Sequence, residues 1–129
     1  MTNYPPKLIF SEPEIIPKGW GSELVLVNNE EYCGKILRFN KGAMFSSHFH
    51  ASKREHFYLL KGSIKLITIN TSNAQEEEII MKEGQVVEIQ RLLPHQIIAL
   101  EPSEIVEISN FHSDLDSFRV KKGNSQGVK

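Results

Sequence analysis

Three side chains of the kinds that bind metals lie close together near the middle of the chain. His48 and His50 are two residues apart, and Glu55 follows five residues later. Residues two apart in a β-strand share a face, so the two imidazoles would point the same way, about 7 Å apart along the strand. The alternating run that begins at Glu55 predicts the next antiparallel strand, and a short hairpin would bring its carboxylate beside the imidazoles. The three groups predict a site for a divalent transition metal.

The glycines around these residues complete a pattern that is known from a protein family. The spacing Gly42-(x5)-His48-x-His50-(x4)-Glu55-(x6)-Gly62 resembles, position by position, the first motif of the cupin superfamily. The resemblance implies an all-β, single-domain fold: an antiparallel β-barrel, or jelly-roll-like sandwich. It also implies a second motif downstream that supplies one more histidine to the site.

The second motif is matched in part. Gly84 and His95 stand at the expected distances, whereas Gln90 and Leu92 replace the proline and the second glycine of the pattern. The resemblance thus implies one metal ion held by His48, His50, Glu55 and His95. Such a set leaves positions open for water or substrate, as a catalytic site needs. The ion could be Zn, Mn, Fe, Ni or Co, since all of them accept nitrogen and oxygen ligands.

Segments outside these motifs resemble mannose-6-phosphate isomerase-type cupins. They are Trp20-Gly21-x-Glu23, Glu55-His56-Phe57 and Asp116-Ser117-Phe118-Arg119. This resemblance implies a metal-dependent sugar or sugar-phosphate isomerase. One departure counts against it: those isomerases continue with an Asp-x-Tyr-Gly-Arg segment that is often linked to catalysis, and this chain continues Val120-Lys121-Lys122-Gly123.

An isomerase also needs a base and a way to hold its substrate. Glu107 is the catalytic candidate, because a carboxylate inside the barrel could move a proton between adjacent carbons through an enediol while the metal polarises the carbonyl. The alternative is that Glu107 faces solvent. Candidates for binding a phosphate or carboxylate are four basic residues, since arginine in particular forms bidentate contacts. They are Lys35, Lys65, Arg91 and Arg119.

Two other functions remain open, so the sequence does not decide whether the protein is an enzyme. An Fe(II)-dependent dioxygenase would use the same ligand set, and a non-catalytic carbohydrate-binding or regulatory cupin would bind without turnover. The lack of the Asp-x-Tyr-Gly-Arg segment favours both alternatives.

Neighbouring residues receive simpler predictions. His56 follows Glu55 in its strand and should face away from the barrel interior. His112 lies in an apparent loop, where a surface role is expected. Strand parity with the ligands predicts that the site is lined by Phe57, Leu59, Ile97 and Ala99.

Length and composition place these residues in one domain. The chain has 129 residues and a net charge of -1, so its charge balance gives no reason to expect nucleic-acid binding. Its apolar runs are too short to span a membrane, its N-terminus lacks the order of a secretory signal, and the lone Cys33 fits a reducing compartment. The expected location is the cytoplasm. The expected partners are a small-molecule ligand of the sugar or sugar-phosphate class and a second copy in a homodimer.

The pattern along the chain predicts three segments. Residues 1–19 hold four of the six prolines and predict an arm with edge strands. Residues 20–120 show short alternating runs separated by Gly and Asn turns, which are typical of an antiparallel sandwich or barrel. Residues 121–129 are polar and are expected to fray.

Overall fold

The computed structural model describes residues 5–123, and almost all of its regular structure is β-strand. Among these described residues the one helical segment is a short 3-10 turn, Asp114–Asp116. The strands are β1 (Glu14–Lys18), β2 (Gly21–Asn28), β3 (Cys33–Phe39), β4 (Ser47–His50), β5 (Glu55–Lys61), β6 (Ser63–Ile69), β7 (Glu76–Lys82), β8 (Val86–Ile89), β9 (His95–Ala99), β10 (Ser103–Ser109) and β11 (Ser117–Lys121). The predicted all-β fold is confirmed.

The strands form two antiparallel sheets that face each other. Six strands make the first sheet in the order β1-β2-β3-β10-β5-β8, and five make the second in the order β11-β4-β9-β6-β7. Neighbouring strands of each sheet are mostly distant in sequence, as in a jelly roll. Alternation along the strands sends one set of side chains between the sheets and the other outward.

The predicted hairpin between the histidines and Glu55 is wrong. β4 belongs to the second sheet, where it pairs with β9 and β11, and β5 belongs to the first, where it pairs with β10 and β8. The segment 51–54 therefore crosses from one sheet to the other instead of turning back within one. The histidines and the carboxylate approach each other across the space between the sheets.

The space between the sheets divides into an apolar half and a polar half. The apolar half contains the most deeply buried side chains, among them Leu59, Ile64, Ile97 and Ile105, each 0% exposed. Trp20 closes one side of this core by stacking on Phe39, with ring centroids 4.4 Å apart. Burying large apolar side chains is the main favourable term in folding, so this half stabilises the sandwich and leaves the other half for polar groups.

The two ends of the described chain behave differently. Residues 5–13 have no regular structure and are exposed, and β1 is an edge strand, the position in which its Pro17 is tolerated. β11, at the other end, reaches Lys121. The parts of the predicted arm and tail at residues 1–4 and 124–129 lie outside the described residues. Within residues 5–123, no helix is long and apolar enough to cross a membrane.

Candidate metal centre

Two adjacent strands of the second sheet bring three histidines together. His48 and His95 are cross-strand partners on β4 and β9, and His50 lies two residues further along β4. The ring centroids of His48 and His95 are 4.7 Å apart, and those of His48 and His50 are 4.9 Å apart. One nitrogen from each ring can be chosen so that all three lie within 4.8 Å of one another. This triad is placed to hold a metal ion.

Backbone carbonyls orient all three rings. The Nδ1 atoms of His48, His50 and His95 lie 2.7, 3.0 and 2.8 Å from the carbonyl oxygens of Ser46, Asp116 and Leu93. A carbonyl only accepts, so each Nδ1 carries the proton and donates it, and each Nε2 keeps its lone pair. This is the tautomer that binds metals through Nε2.

Burial and neighbouring groups keep the two histidine rings of β4 neutral. Burial is the main reason why the pKa of His48 falls to about 3, and the neighbouring His95 adds to the effect. Burial also lowers the pKa of His50 to about 4, together with the positive charge of Lys53. A metal binds the unprotonated ring, so both residues are ready to bind at neutral pH.

Glu55 reaches the triad from the opposite sheet. Its Oε2 lies 3.0 Å from Nε2 of His95 and 3.5 Å from Nε2 of His50, and the residue is 1% exposed. Burial alone would raise the pKa of Glu55, but the neighbouring positive charge of Lys53 helps to bring the pKa below its usual range.

Three buried acceptor atoms thus face one another. Nε2 of His50, Nε2 of His95 and Oε2 of Glu55 have no hydrogen-bond partner among the described residues. Their close approach is unfavourable unless a cation is bound among them, since buried polar atoms without partners are costly. The three histidines and this carboxylate therefore fit a divalent transition metal, which would take two or three imidazole nitrogens and one carboxylate oxygen.

Lys53 is a central residue of the site that the sequence analysis did not single out. It is 4% exposed, and its Nζ lies 2.8 Å from Oε2 of Glu107, 3.4 Å from Oε1 of Glu55 and 3.0 Å from Nδ1 of His112. Burial alone would lower the pKa of Lys53, but the two carboxylates outweigh it and raise the pKa above its usual range. A single ammonium group therefore holds both carboxylates of the site in place.

Glu107 faces the interior, as the catalytic role requires. On β10 it lies opposite Lys35 of β3 and Phe57 of β5, and it is 4% exposed. Burial raises the pKa of Glu107 even though Lys53 and Lys35 act in the opposite direction. A carboxylate with a raised pKa is better suited to accept and return a proton near neutral pH than an ordinary one.

Asp116 holds the segment that carries Lys53. Its carboxylate accepts hydrogen bonds from the backbone N–H groups of Ala51, Ser52 and Lys53, each with a shortest distance of 2.9 Å. Its backbone carbonyl accepts the bond from His50 described above. The Asp-x-x-Arg pattern noted in the sequence thus has a physical basis: its aspartate fixes both a metal-binding ring and the crossing segment.

The histidine triad opens into a cavity of about 280 Å³ between the sheets. Of the four basic residues predicted to bind substrate, Lys35 and Arg119 line this cavity. Lys65 does not line it, because it pairs with Glu78 on the outer side of β6, 3.3 Å away. Arg91 does not line it either, since its Nε donates to the carbonyl of Ser52 over 2.8 Å and stabilises the crossing segment.

Other predictions have mixed outcomes. His56 pairs with Glu88 and Ile108 on the face turned away from the cavity, as expected. The expected surface role of His112 is wrong, because its ring lines the cavity and bridges Lys53 to Asp114. Of the four residues predicted to line the site, Phe57 does so. The others lie further along their strands, in the apolar core: Leu59, Ile97 and Ala99.

The loop before His95 contains a strained residue. Leu92 adopts a φ of 71°, and its N–H donates to the carbonyl of His50 over 2.7 Å. Leu92 occupies the position at which the second motif has glycine. A left-handed conformation is costly for any residue with a Cβ, so the glycine of the motif is explained by this backbone geometry.

Substitution of Leu92 by glycine is expected to stabilise the protein by about 1 kcal/mol, because it relieves the left-handed strain. The leucine side chain is 59% exposed, so little packing is lost. Urea unfolding of Leu92→Gly measures the effect. Leu92→Ala, which removes the side chain and keeps the strain, should give no stabilisation. Equal or lower stability of Leu92→Gly would contradict this explanation.

The comparison with protein families agrees with the geometry. Residues 35–111, more than half of the chain, match the model of the family described as the cupin domain. This stretch contains all four predicted metal ligands. No curated protein sequence is significantly similar to this chain.

Solved structures of other proteins share the fold. CapF of Staphylococcus aureus, a capsular polysaccharide assembling protein, has a TM-score of 0.74 at 18% identity over 87% of this chain and 33% of its own. Oxalate decarboxylase of Bacillus subtilis has a TM-score of 0.74 at 19% identity over 88% and 33%. KdgF of Halomonas sp. has a TM-score of 0.62 at 17% identity over 72% and 80%.

The chain spans about a third of CapF and of the decarboxylase. At these identities the likeness concerns the fold. The two facing sheets, the histidine triad and the family match over residues 35–111 lead to one identification: the chain belongs to the cupin family.

Proposed function

We propose that this cupin binds one divalent transition metal through His48, His50, His95 and Glu55 and acts on a carbohydrate as a sugar or sugar-phosphate isomerase. The observation that carries the proposal is Glu107. It is a buried carboxylate with a raised pKa in the same cavity as the histidines, linked to the ligand Glu55 by the ammonium group of Lys53. A site for moving protons needs such a group close to the centre that polarises the substrate.

Each residue has a role in this reaction. A bound divalent ion would polarise the carbonyl and the neighbouring hydroxyl of the sugar as a Lewis acid. Glu107 removes the proton from the carbon beside the carbonyl and returns it to the adjacent carbon, by way of an enediol. Lys53 contacts Oε2 of Glu107, and no hydrogen bond between described residues engages Oε1, which leaves that atom for the substrate.

Exchange of the moving proton with solvent tests the proposal. The metal-loaded protein in heavy water should place deuterium on the carbon beside the carbonyl of a sugar or sugar phosphate. Glu107→Gln should slow this exchange by about 10²–10⁴-fold while metal and ligand still bind, because the amide keeps the shape and loses the basicity. The control is Glu88→Gln, an exposed carboxylate on the outer face paired with Arg54, which should exchange like the parent protein.

Other outcomes would point to other functions. Unchanged exchange in Glu107→Gln would remove this residue from the mechanism. Binding of sugars without exchange under Mn, Co, Ni and Zn would favour a non-catalytic carbohydrate-binding cupin. Oxygen uptake that depends on bound iron and a ligand would favour a dioxygenase. The homodimer and the cytoplasmic location stay predictions.

A further inference from the structure

The charged residues around the cavity are nearly all paired with one another. Lys35 pairs with Glu23 over 3.2 Å, and His112 pairs with Asp114 over 3.0 Å. Lys53 lies between Glu55 and Glu107. Both lysines already have acidic partners, so neither is left to bind an anionic ligand. Lys53 balances only one of its two carboxylates, and burial lowers the pKa of His112, which leaves Asp114 negative. The inner wall itself therefore does not attract an anion.

Two basic residues at the rim are exceptions. Lys18 of β1 and Arg119 of β11 line the cavity and are exposed, and their side chains form no ion pair or hydrogen bond with another described residue. Residues 1–4 and 124–129 contain no acidic side chain that could pair with them. Each comes from an edge strand of a different sheet, so both sheets contribute a cation to the rim.

The other three arginines of the chain all have a side-chain partner among the described residues, whereas Arg119 has none. Arg38 pairs with Glu104, Arg54 pairs with Glu88, and Arg91 donates to the carbonyl of Ser52. Arg119 is also the cross-strand partner of His48, so the two side chains leave β11 and β4 on the same face. The Arg119 side chain therefore lies on the cavity side of β11, and its guanidinium group is available to bind a ligand at the rim.

We infer that the ligand of this site carries an anionic group, a carboxylate or a phosphate, which Arg119 binds at the rim with help from Lys18, while the rest of the ligand reaches the histidine triad. A guanidinium group binds either anion with two parallel hydrogen bonds. This inference names the class of ligand and rests on the proposed function. It distinguishes acidic or phosphorylated sugars, which the site should select, from neutral ones.

Three compounds with the same pyranose ring and different charge test the inference on the zinc-loaded protein: glucose, glucuronate and glucose 6-phosphate. Calorimetry should show that at least one of the two anions binds more than about tenfold more tightly than glucose, as expected for a charge-assisted contact. The tighter anion identifies the carboxylate or the phosphate as the preferred group. The preference should weaken at high salt, because the rim is exposed.

The variant Arg119→Met should weaken binding of the preferred anion about tenfold and leave glucose binding within about twofold. Lys18→Met should have a smaller effect in the same direction. The control Arg38→Met removes an exposed arginine from the outer face and should change none of the three affinities. An equal loss for all three sugars, an equal affinity for glucose and both anions, or no binding of either anion below about 10 mM would overturn the inference.

The results also separate this inference from the isomerase proposal. Anion binding that depends on Arg119 without deuterium exchange would support the anionic ligand and contradict the isomerase. Deuterium exchange into glucose that is unaffected by Arg119→Met would support the isomerase and contradict the anionic ligand.

Discussion

Replacement of His95 or His50 by alanine is expected to abolish stoichiometric metal binding while the sandwich remains folded. Both Nε2 atoms are buried and face the same point as Oε2 of Glu55. Loss of a residue that merely orients a ligand weakens metal binding by 10–100-fold, so loss of a ligand should exceed about 100-fold. Metal content after dialysis and elemental analysis measures the change, and circular dichroism shows whether the fold persists.

The matched control for these variants is His56→Ala. His56 follows Glu55 directly but lies on the other face of β5, opposite Glu88. The His56→Ala variant should keep the metal content of the parent protein, and its free energy of unfolding should change by less than about 0.5 kcal/mol, as is usual for surface substitutions. Metal loss in His56→Ala, or full occupancy in both ligand variants, would mean that the wrong residues have been assigned to the metal.

Replacement of Lys53 by methionine is expected to destabilise the protein by about 3–5 kcal/mol. The ammonium group is buried between Glu55 and Glu107, and its removal would leave two neighbouring carboxylates inside the sandwich without a cation. Breaking a buried ion pair by removing one partner carries a cost of this size. Urea unfolding in the presence of a chelator measures the change without a contribution from bound metal.

Two further variants test the reason for this loss. Lys53→Met combined with Glu107→Gln should recover part of the stability, because one of the unpaired charges is removed as well. Arg54→Met, in the next position of the chain, breaks an exposed pair with Glu88 and should cost less than about 1 kcal/mol. A loss below 1 kcal/mol in Lys53→Met would show that the ammonium group does not hold the carboxylates in place.

Most of the fold could be predicted from the sequence, because alternation and turn residues are local signals. The short alternating runs expected between residues 20 and 120 agree with the strands that the structure has there, from β2 to β10. Strand pairing depends on distant segments. The crossing between β4 and β5 was therefore predicted as a hairpin.

The polar part of the site was also difficult to predict, because it too depends on contacts between segments that are distant in sequence. The histidine and glutamate spacing is a strong local signal, whereas Lys53 stands beside Ala51, Ser52 and Arg54 in a stretch that looks like a solvent-exposed loop. Its burial results from Asp116, 63 residues later, which accepts the backbone hydrogen bond of Lys53. Arg91 was predicted to bind the substrate. Its side chain instead stabilises the crossing segment and does not reach the cavity.

The most direct test of the metal centre is an anomalous diffraction map of the zinc-loaded protein. It should contain one peak per chain, about 2.0–2.2 Å from Nε2 of His48, His50 and His95 and from an oxygen of Glu55. The carboxylate and the three rings should move little, since backbone carbonyls and Lys53 already hold them. A peak elsewhere in the chain, or none at this position under saturating zinc, would contradict the assignment of this site as a metal centre.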